Sequence, residues 1–177
     1  MASDNRTPAG AVALLAEIEQ EPFRFGFYQT VRRLDCLYED KPLTGASFRP
    51  SDDPLRFAQE PYMSFAPSTL SALEYPEGSR FPRLEQRFIG LFGPNGPLPL
   101  HLTEYARDRL RNQRDATFAR FADIFHHRIV SLFYRAWAQA QPTVQFDRPK
   151  QDRFSVYLGS LIGRSHESIR NADEMHH

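Results

Sequence analysis

The sequence predicts an α+β fold that is predominantly helical, with amphipathic helices packed around a small β element. Apolar residues recur at three- and four-residue steps in several segments, the longest of which spans about residues 115–141. Short runs of β type bounded by proline lie between residues 55 and 92. The composition, 41% hydrophobic and 25% charged, is that of a globular chain able to bury a core.

Two helices are predicted in the first 40 residues. The first spans residues 8–20, begins at a Thr7-Pro8 cap and places Val12, Leu15 and Ile18 on one face. The second follows Pro22, contains Gly26 as a point of close backbone approach, and carries a stronger apolar stripe made of Phe23, Phe27, Val31, Leu34 and Tyr38. Residues 39–53 break every period and are predicted to form a loop.

The β element is predicted from short segments. Residues 55–57 and 62–65 are typical of strands, and residues 84–92 suit a strand whose far end, 88–92, is buried on both faces. Between them, residues 68–74 are predicted to form one or two helical turns.

The segment 90–104, GLFGPNGPLPLHLTE, raises the possibility of a phosphate-binding loop. Its glycines match neither a Walker A loop nor the G-x-G-x-x-G turn, and Pro94, Pro97 and Pro99 remove the backbone donors that a phosphate nest needs. The pattern instead predicts a stiff connector. Its turn lies at Pro94-Asn95-Gly96, with Asn95 or Gly96 supplying a positive φ.

Three helical segments are predicted after this connector. Thr103 is predicted to cap the first. The long helix ends at Gln141-Pro142 and carries an apolar stripe that is predicted to face the core, made of Phe118, Phe121, Phe125, Ile129, Leu132, Phe133, Ala136 and Trp137. In the last, residues 152–163, one face is made of Phe154, Tyr157, Leu158 and Leu161.

We therefore predict a helical extension at residues 1–21, a core domain at 22–163 and a polar, disordered tail at 164–177. The 22 basic and 22 acidic residues balance, which argues against a dedicated nucleic-acid binder. The single cysteine, Cys36, is interpreted as a packed thiol and suits a reducing compartment. No run approaches the ~20 apolar residues of a membrane span, so a cytoplasmic location is predicted.

Motifs for catalysis, cofactors or metals are not recognised. His126 and His127 are adjacent on the long helix and lack a ligand partner at helical spacing, and Asp123 with His127 reads as a helix-face pair. Two alternatives stay open. A hydrolase with a dispersed Ser/His/Asp site would bring His101 or His126 against serine and aspartate. A nucleic-acid module would use the arginines at 107, 109, 111, 114 and 120.

Three blocks together resemble a known family. They are PFRFGFYQTVRRL (22–34), FIGLFGPNGPLPLHLTEYARDR (88–109) and FADIFHHRIVSLFYRAWAQ (121–139). In order and spacing they resemble the TssG family, also called ImpH or VasB, a baseplate subunit of the bacterial type VI secretion system. The likeness runs from about residue 12 to 164, as in an N-terminal part or shortened form of TssG, whose members usually continue further.

The resemblance implies a non-catalytic structural subunit of the baseplate wedge that uses no cofactor. Its implied partners are two copies of TssF, trimeric TssK, TssE and other baseplate subunits, in a complex docked at the inner membrane of a Gram-negative bacterium. No nucleic acid and no membrane insertion are implied. Interface candidates are then the aromatic and arginine residues of the second helix and the rigid connector: Phe23, Phe25, Tyr28, Arg32, Gly93, Pro94, Asn95, Gly96, Pro97 and Pro99.

Overall fold

The computed structural model describes residues 9–163, which fall into two compact units that divide between Arg135 and Ala136. The helices and strands of this part, in chain order, are α1 Ala9–Gln20, α2 Phe27–Leu37, β1 Arg56–Gln59, β2 Leu70–Glu74, β3 Arg83–Gln86, α3 Leu100–Asn112, α4 Thr117–Gln139, α5 Pro142–Phe146 and α6 Arg153–Leu161. The predicted fold class, mostly helical with a small sheet and one long helix, is confirmed. The predicted domain boundaries stay a prediction, and the predicted tail, 164–177, lies outside the described residues.

The first unit is built on α1 and α2. Helix α1 buries Ala11, Leu14, Leu15 and Ile18, whereas Val12, predicted on the same face, is 53% exposed. The predicted stripe is buried from Phe27 onward, with Phe27, Val31 and Leu34 on helix α2 and Tyr38 at its C-terminal cap.

The start of the second helix differs from the prediction at two residues. Phe23 lies in a separate 3₁₀ turn, Pro22–Arg24, and is 63% exposed, because extended backbone at Phe25 breaks the helix. Gly26 is the N-terminal cap of α2, and no atom outside its chain neighbours lies within 4 Å of a Cβ built on it. The expected close backbone approach at Gly26 is therefore wrong.

The sheet has the order β1-β3-β2, with β1 parallel to β3 and β2 antiparallel to it. Residues 70–74, predicted as helical turns, form strand β2 because the edge of β3 supplies partners that a local pattern does not reveal. Residues 62–65 form no strand.

Strand β3 is shorter than predicted because the side chain of Gln86 ends the ladder. Its Oε1 accepts hydrogen bonds from the backbone N–H groups of Phe88 and Ile89, at 3.0 and 3.1 Å, and its Nε2 donates to the carbonyl of Ile89 at 2.6 Å. Both N–H groups of 88–89 and the carbonyl of Ile89 thereby have partners without a neighbouring strand. The connector that follows can leave the sheet.

The starts of α3 and α4 differ in whether a side chain accepts from the first backbone N–H groups. Helix α3 begins at Leu100, directly after Pro99, and not at Thr103, whose Oγ1 accepts a hydrogen bond from the N–H of Gly93 at 3.1 Å. Helix α4 is preceded by Asp115, which accepts from the N–H of Thr117 at 2.9 Å and pairs with Arg109. Hydrogen bonds from the hydroxyl and backbone of Thr117, and from Arg109, lower the pKa of Asp115 from 3.8 to about 2.

This capping predicts an acid dependence of stability. The contribution of a carboxylate whose pKa is lowered by folding is complete above the unfolded pKa, 3.8, and is lost as the pH falls towards about 2. We expect Asp115→Ala to destabilise the protein at pH 6, with a difference from the wild type that shrinks between pH 4 and pH 2. Urea unfolding of both proteins across this range measures it. A difference that stays constant would mean that Asp115 does not titrate with folding.

The second unit comprises the end of α4, then α5, a 3₁₀ turn at Pro149–Gln151 and α6. Asp152 caps α6 by accepting from the N–H groups of Phe154 and Ser155 at 2.9 and 3.2 Å. The predicted apolar face of α6 is present and lies in solvent, with exposed fractions of 37% for Phe154, 55% for Tyr157, 49% for Leu158 and 83% for Leu161.

Candidate protein-binding surface

Helix α4 turns mostly small and polar side chains inward, together with Val130 and Tyr134, and most of its bulky apolar side chains outward. Its buried residues are Ala119, Ala122, His126, Val130, Ser131 and Tyr134. The prediction that the apolar stripe faces the core is therefore wrong for most of its members, including Phe133, which is 41% exposed, while Trp137 is half-buried. The reason is a set of polar contacts between α4 and the β element.

Two side chains of α4 bind the open edge of β1. The N–H of Phe57 donates to Nδ1 of His127 at 3.2 Å, and the N–H of Gln59 donates to Oδ1 of Asp123 at 3.1 Å. Four residues of helix rise about 6 Å and two residues of strand about 6.6 Å, so the spacings match. The Asp123–His127 pair, interpreted from the sequence as a helix-face interaction, thus satisfies strand donors that would otherwise be unpaired.

A third side chain of α4 holds the connector. His126 is fully buried, and its Nε2 accepts a hydrogen bond from the N–H of Leu91 at 3.0 Å. Its Nδ1 lies 3.0 Å from Oδ1 of Asp123 and must carry the proton that it donates. At His127 the order is reversed, because Nδ1 accepts from Phe57 and Nε2 donates to Asp53 at 3.0 Å. The adjacent histidines therefore hold opposite tautomers and bind different segments.

Gln59 fastens the same connector from β1. Its side chain pairs with Phe92 in both directions, accepting from the N–H at 2.9 Å and donating to the carbonyl at 2.8 Å. Gly90 passes close by with φ +146°, where an added Cβ would collide with the Gln59 amide and lie 3.0 Å from Cδ2 of His126. Phe92 itself enters a small core with Ala106 and Ala122.

The predicted turn is present, but its backbone differs from the expectation. The N–H of Gly96 donates to the carbonyl of Gly93 at 3.0 Å across Pro94-Asn95. Positive φ occurs at Gly93, +95°, and not at Asn95 or Gly96. The absence of positive φ at Asn95 is compatible with a type I turn that has proline at its second position. Gly96 is required for a different reason: a Cβ there would collide with the carbonyl of Leu91 and lie 2.7 Å from that of Phe92.

Charged side chains also contribute to the polar contact between α4 and the sheet. Arg120 binds Glu85 and Asp123, each at 2.9 Å. Burial raises the pKa of Glu85, and Arg120 offsets this only in part. Burial would also raise the pKa of Asp53, but hydrogen bonds from His127 and Ser47 outweigh it and hold that pKa below its usual value. We infer that α4 is anchored by polar groups whose partners lie on the sheet and the connector.

The outward face of α4 is consequently apolar. Its exposed side chains form two ridges at four-residue steps. The first is Phe121, Phe125, Ile129 and Phe133, with exposed fractions of 58, 49, 39 and 41%; the second is Ile124, Arg128 and Leu132, with 67% for Ile124 and 42% for Leu132. We call these residues the α4 outer face. A contiguous apolar surface of this kind is typical of a site that binds another protein.

Among the four interface candidates in α2 and in the segment just before it, Phe23 is exposed and the other three are not. Phe25, Tyr28 and Arg32 are half-buried. The ring of Tyr28 lies 6.3 Å from that of Phe133, centroid to centroid, so this residue borders the α4 outer face, and burial raises the pKa of its hydroxyl.

In the connector, the exposed candidates are Pro94, Asn95, Pro97 and Pro99, while Gly96 is half-buried and Gly93 is buried. The sequence does not predict an exposed apolar face on α4, because apolar residues at this spacing are also typical of a core helix. All ten candidates stay predictions as partner contacts.

The arrangement gives little support to the two alternatives. His126 lies 3.0 Å from Asp123, but both of its ring nitrogens are engaged and it has no solvent exposure, so it cannot serve as a base for a substrate. His101 is exposed on α3.

Several of the proposed nucleic-acid contacts are neutralised by carboxylates. Arg109 pairs with Asp115, Arg111 lies 3.9 Å from Glu60, and Arg120 binds the acids described above. Within residues 9–163, no cluster of metal-ligating side chains and no helix long and apolar enough to cross a membrane is found.

Comparison with known proteins gives one match. The profile of the family described as "Type VI secretion, TssG" matches residues 21–177. Neither the curated proteins nor the solved structures include a significant match to the chain.

Proposed function

Because the chain belongs to the TssG family of type VI secretion proteins and is thus a baseplate component, we propose that it is a non-catalytic structural subunit of the baseplate wedge. In this proposal it binds TssF, in two copies, and links the wedge towards TssK, with TssE and other baseplate subunits nearby. It acts in the cytoplasm, within a complex docked at the inner membrane. The α4 outer face carries the proposal, because it is the surface that a partner would cover.

Burial of apolar side chains would favour the binding of a partner to the α4 outer face. Fully burying a Phe, Leu or Ile side chain stabilises by about 1.5–3 kcal/mol, so covering the half that is still exposed contributes roughly 1 kcal/mol for each residue. Six such residues lie on the α4 outer face. The polar anchors beneath them position the helix, so little order has to be gained when a partner binds.

The first experiment is co-expression with TssF from the same gene cluster, followed by size-exclusion chromatography with light scattering. We expect a stable complex whose mass corresponds to one copy of this chain and two of TssF. Ile124→Asp is expected to weaken that complex at least about tenfold, because it places a charge in the apolar contact. The isolated variant should fold normally, since Ile124 is 67% exposed.

Val12→Asp is the matched control. Val12 is also a β-branched residue on a helix and is 53% exposed, but it lies on α1. We expect this variant to bind TssF as the wild type does. If the wild-type chain formed no complex with TssF, the proposed function would be contradicted. Equal weakening by both substitutions would contradict the assignment of the contact to α4.

A further inference from the structure

The exposed charges on and beside the α4 outer face have one sign, with Arg128 on it and Arg135 beside it. Among the exposed residues of α4 the charged ones are Arg128 and Arg135, and no acid is exposed on this helix. Each arginine donates one N–H to a backbone carbonyl, Arg128 to Ser47 at 3.5 Å and Arg135 to Gly45 at 3.1 Å. Neither has a carboxylate within 4 Å among the described residues. A guanidinium has five N–H donors, so both retain donors for an acidic group.

The shape of this face selects the kind of partner. The two ridges at four-residue steps enclose a groove, which is the surface into which the ridge of another helix packs. Strand addition is disfavoured beside it, because the edge donors of β1 at Phe57 and Gln59 are already bound by His127 and Asp123. A second copy of this chain is disfavoured as well, since like charges would oppose each other across a twofold interface.

From these observations we propose that the α4 outer face binds an amphipathic helix of TssF whose apolar ridge is bordered by carboxylates. The apolar ridge fits the groove between Phe121–Phe133 and Ile124–Leu132, and the carboxylates face Arg128 and Arg135. This rests on the proposed function, because the helix belongs to the partner that function requires. In this proposal the arginines orient the TssF helix and speed its association, and the apolar ridges form most of the contact area.

The experiment measures TssF binding by the double variant Arg128→Glu/Arg135→Glu at low and at high salt. Reversal of both charges is expected to raise the Kd about tenfold or more at low salt, mostly through a slower association rate. The difference from the wild type should shrink at high salt, where exposed charges are screened. Arg128→Lys/Arg135→Lys keeps the charge and should retain most of the affinity, which separates charge from any loss of the bonds to Ser47 and Gly45.

The control is Arg33→Glu/Arg80→Glu, which makes the same change of charge at exposed arginines of α2 and of the loop before β3. We expect it to leave the Kd within about threefold. A photo-crosslinking residue in place of Phe125 then identifies the TssF segment in contact. Cross-links to a helix with flanking Asp or Glu support the proposal. Cross-links to a strand or an acid-free segment overturn it.

The two proposals fail in different ways. If wild-type chain binds TssF and the reversed variant binds equally well, the charge-bordered helix is refuted and the wedge function stands. If reversal weakens self-association of this chain and not the TssF complex, the face is a homodimer contact and the inference is wrong. If TssF does not bind the wild type at all, the proposed function fails, and this inference fails with it.

Discussion

Gly90→Ala is expected to lower the free energy of unfolding by about 3–5 kcal/mol, which is a large part of the stability of an ordinary domain. Two effects add. The backbone φ of +146° is strained for any residue with a Cβ, and the new methyl group would collide with the side-chain amide of Gln59. Gln59 cannot move aside cheaply, because Phe92 binds both ends of its amide. Urea unfolding followed by circular dichroism measures the change.

The control for this prediction is Gly26→Ala. Gly26 has φ −82° and open space where a Cβ would be placed, so we expect a change below about 1 kcal/mol. A further comparison uses Gln59→Ala as background, in which Gly90→Ala should cost less than it does in the wild type because the collision is gone. If Gly90→Ala were as mild as Gly26→Ala, the close packing of the connector on β1 would be refuted.

Gln59→Leu is expected to destabilise by about 2–4 kcal/mol. Leucine fills a similar volume but leaves the N–H and the carbonyl of Phe92 buried without the partners that Gln59 provides, and each unmet backbone group costs about 1–3 kcal/mol. Because the connector rests on this contact, amide protons of residues 90–92 should also exchange faster with solvent. Unfolding curves and hydrogen exchange give the two readouts.

The same substitution at an exposed site serves as the control here. Gln29 is exposed on α2, and Gln29→Leu is expected to change stability by less than about 0.5 kcal/mol. Loss of stability at both sites would point to a general effect of leucine. If neither substitution lowered stability, the connector would not depend on the Gln59 amide. The proposal that the surface around α4 is rigid would then be contradicted.

The rigidity of the connector bears on the proposed assembly role. The three prolines stiffen the connector, and buried side chains on β1, α3 and α4 hold its backbone at Phe92, Gly93 and Leu91. A surface of this kind loses little conformational entropy when it is covered. A baseplate subunit that has to hold several partners in fixed positions needs such a surface.

The sequence predicts some elements of the fold and not others. Helices α1, α2, α4 and α6 were predicted because a period of three to four residues is a local property that the chain carries whatever surrounds it. The Gly/Pro connector was predicted as a rigid turn for the same reason. Strand β2 was missed, since a five-residue segment acquires β structure from the neighbour it pairs with.

The sequence by itself determined the family, the fold class and the two-sided pattern of α4. Only the tertiary structure decided which side of α4 is buried. Apolar periodicity predicts that the bulky side should be covered, and polar groups can occupy the interior only where matching partners stand at matching distances. Here the edge donors of β1 and the N–H of Leu91 meet Asp123, His127 and His126 at those distances. The side of α4 that carries these polar groups is therefore buried within the chain, and the side that carries most of the bulky apolar residues stays exposed.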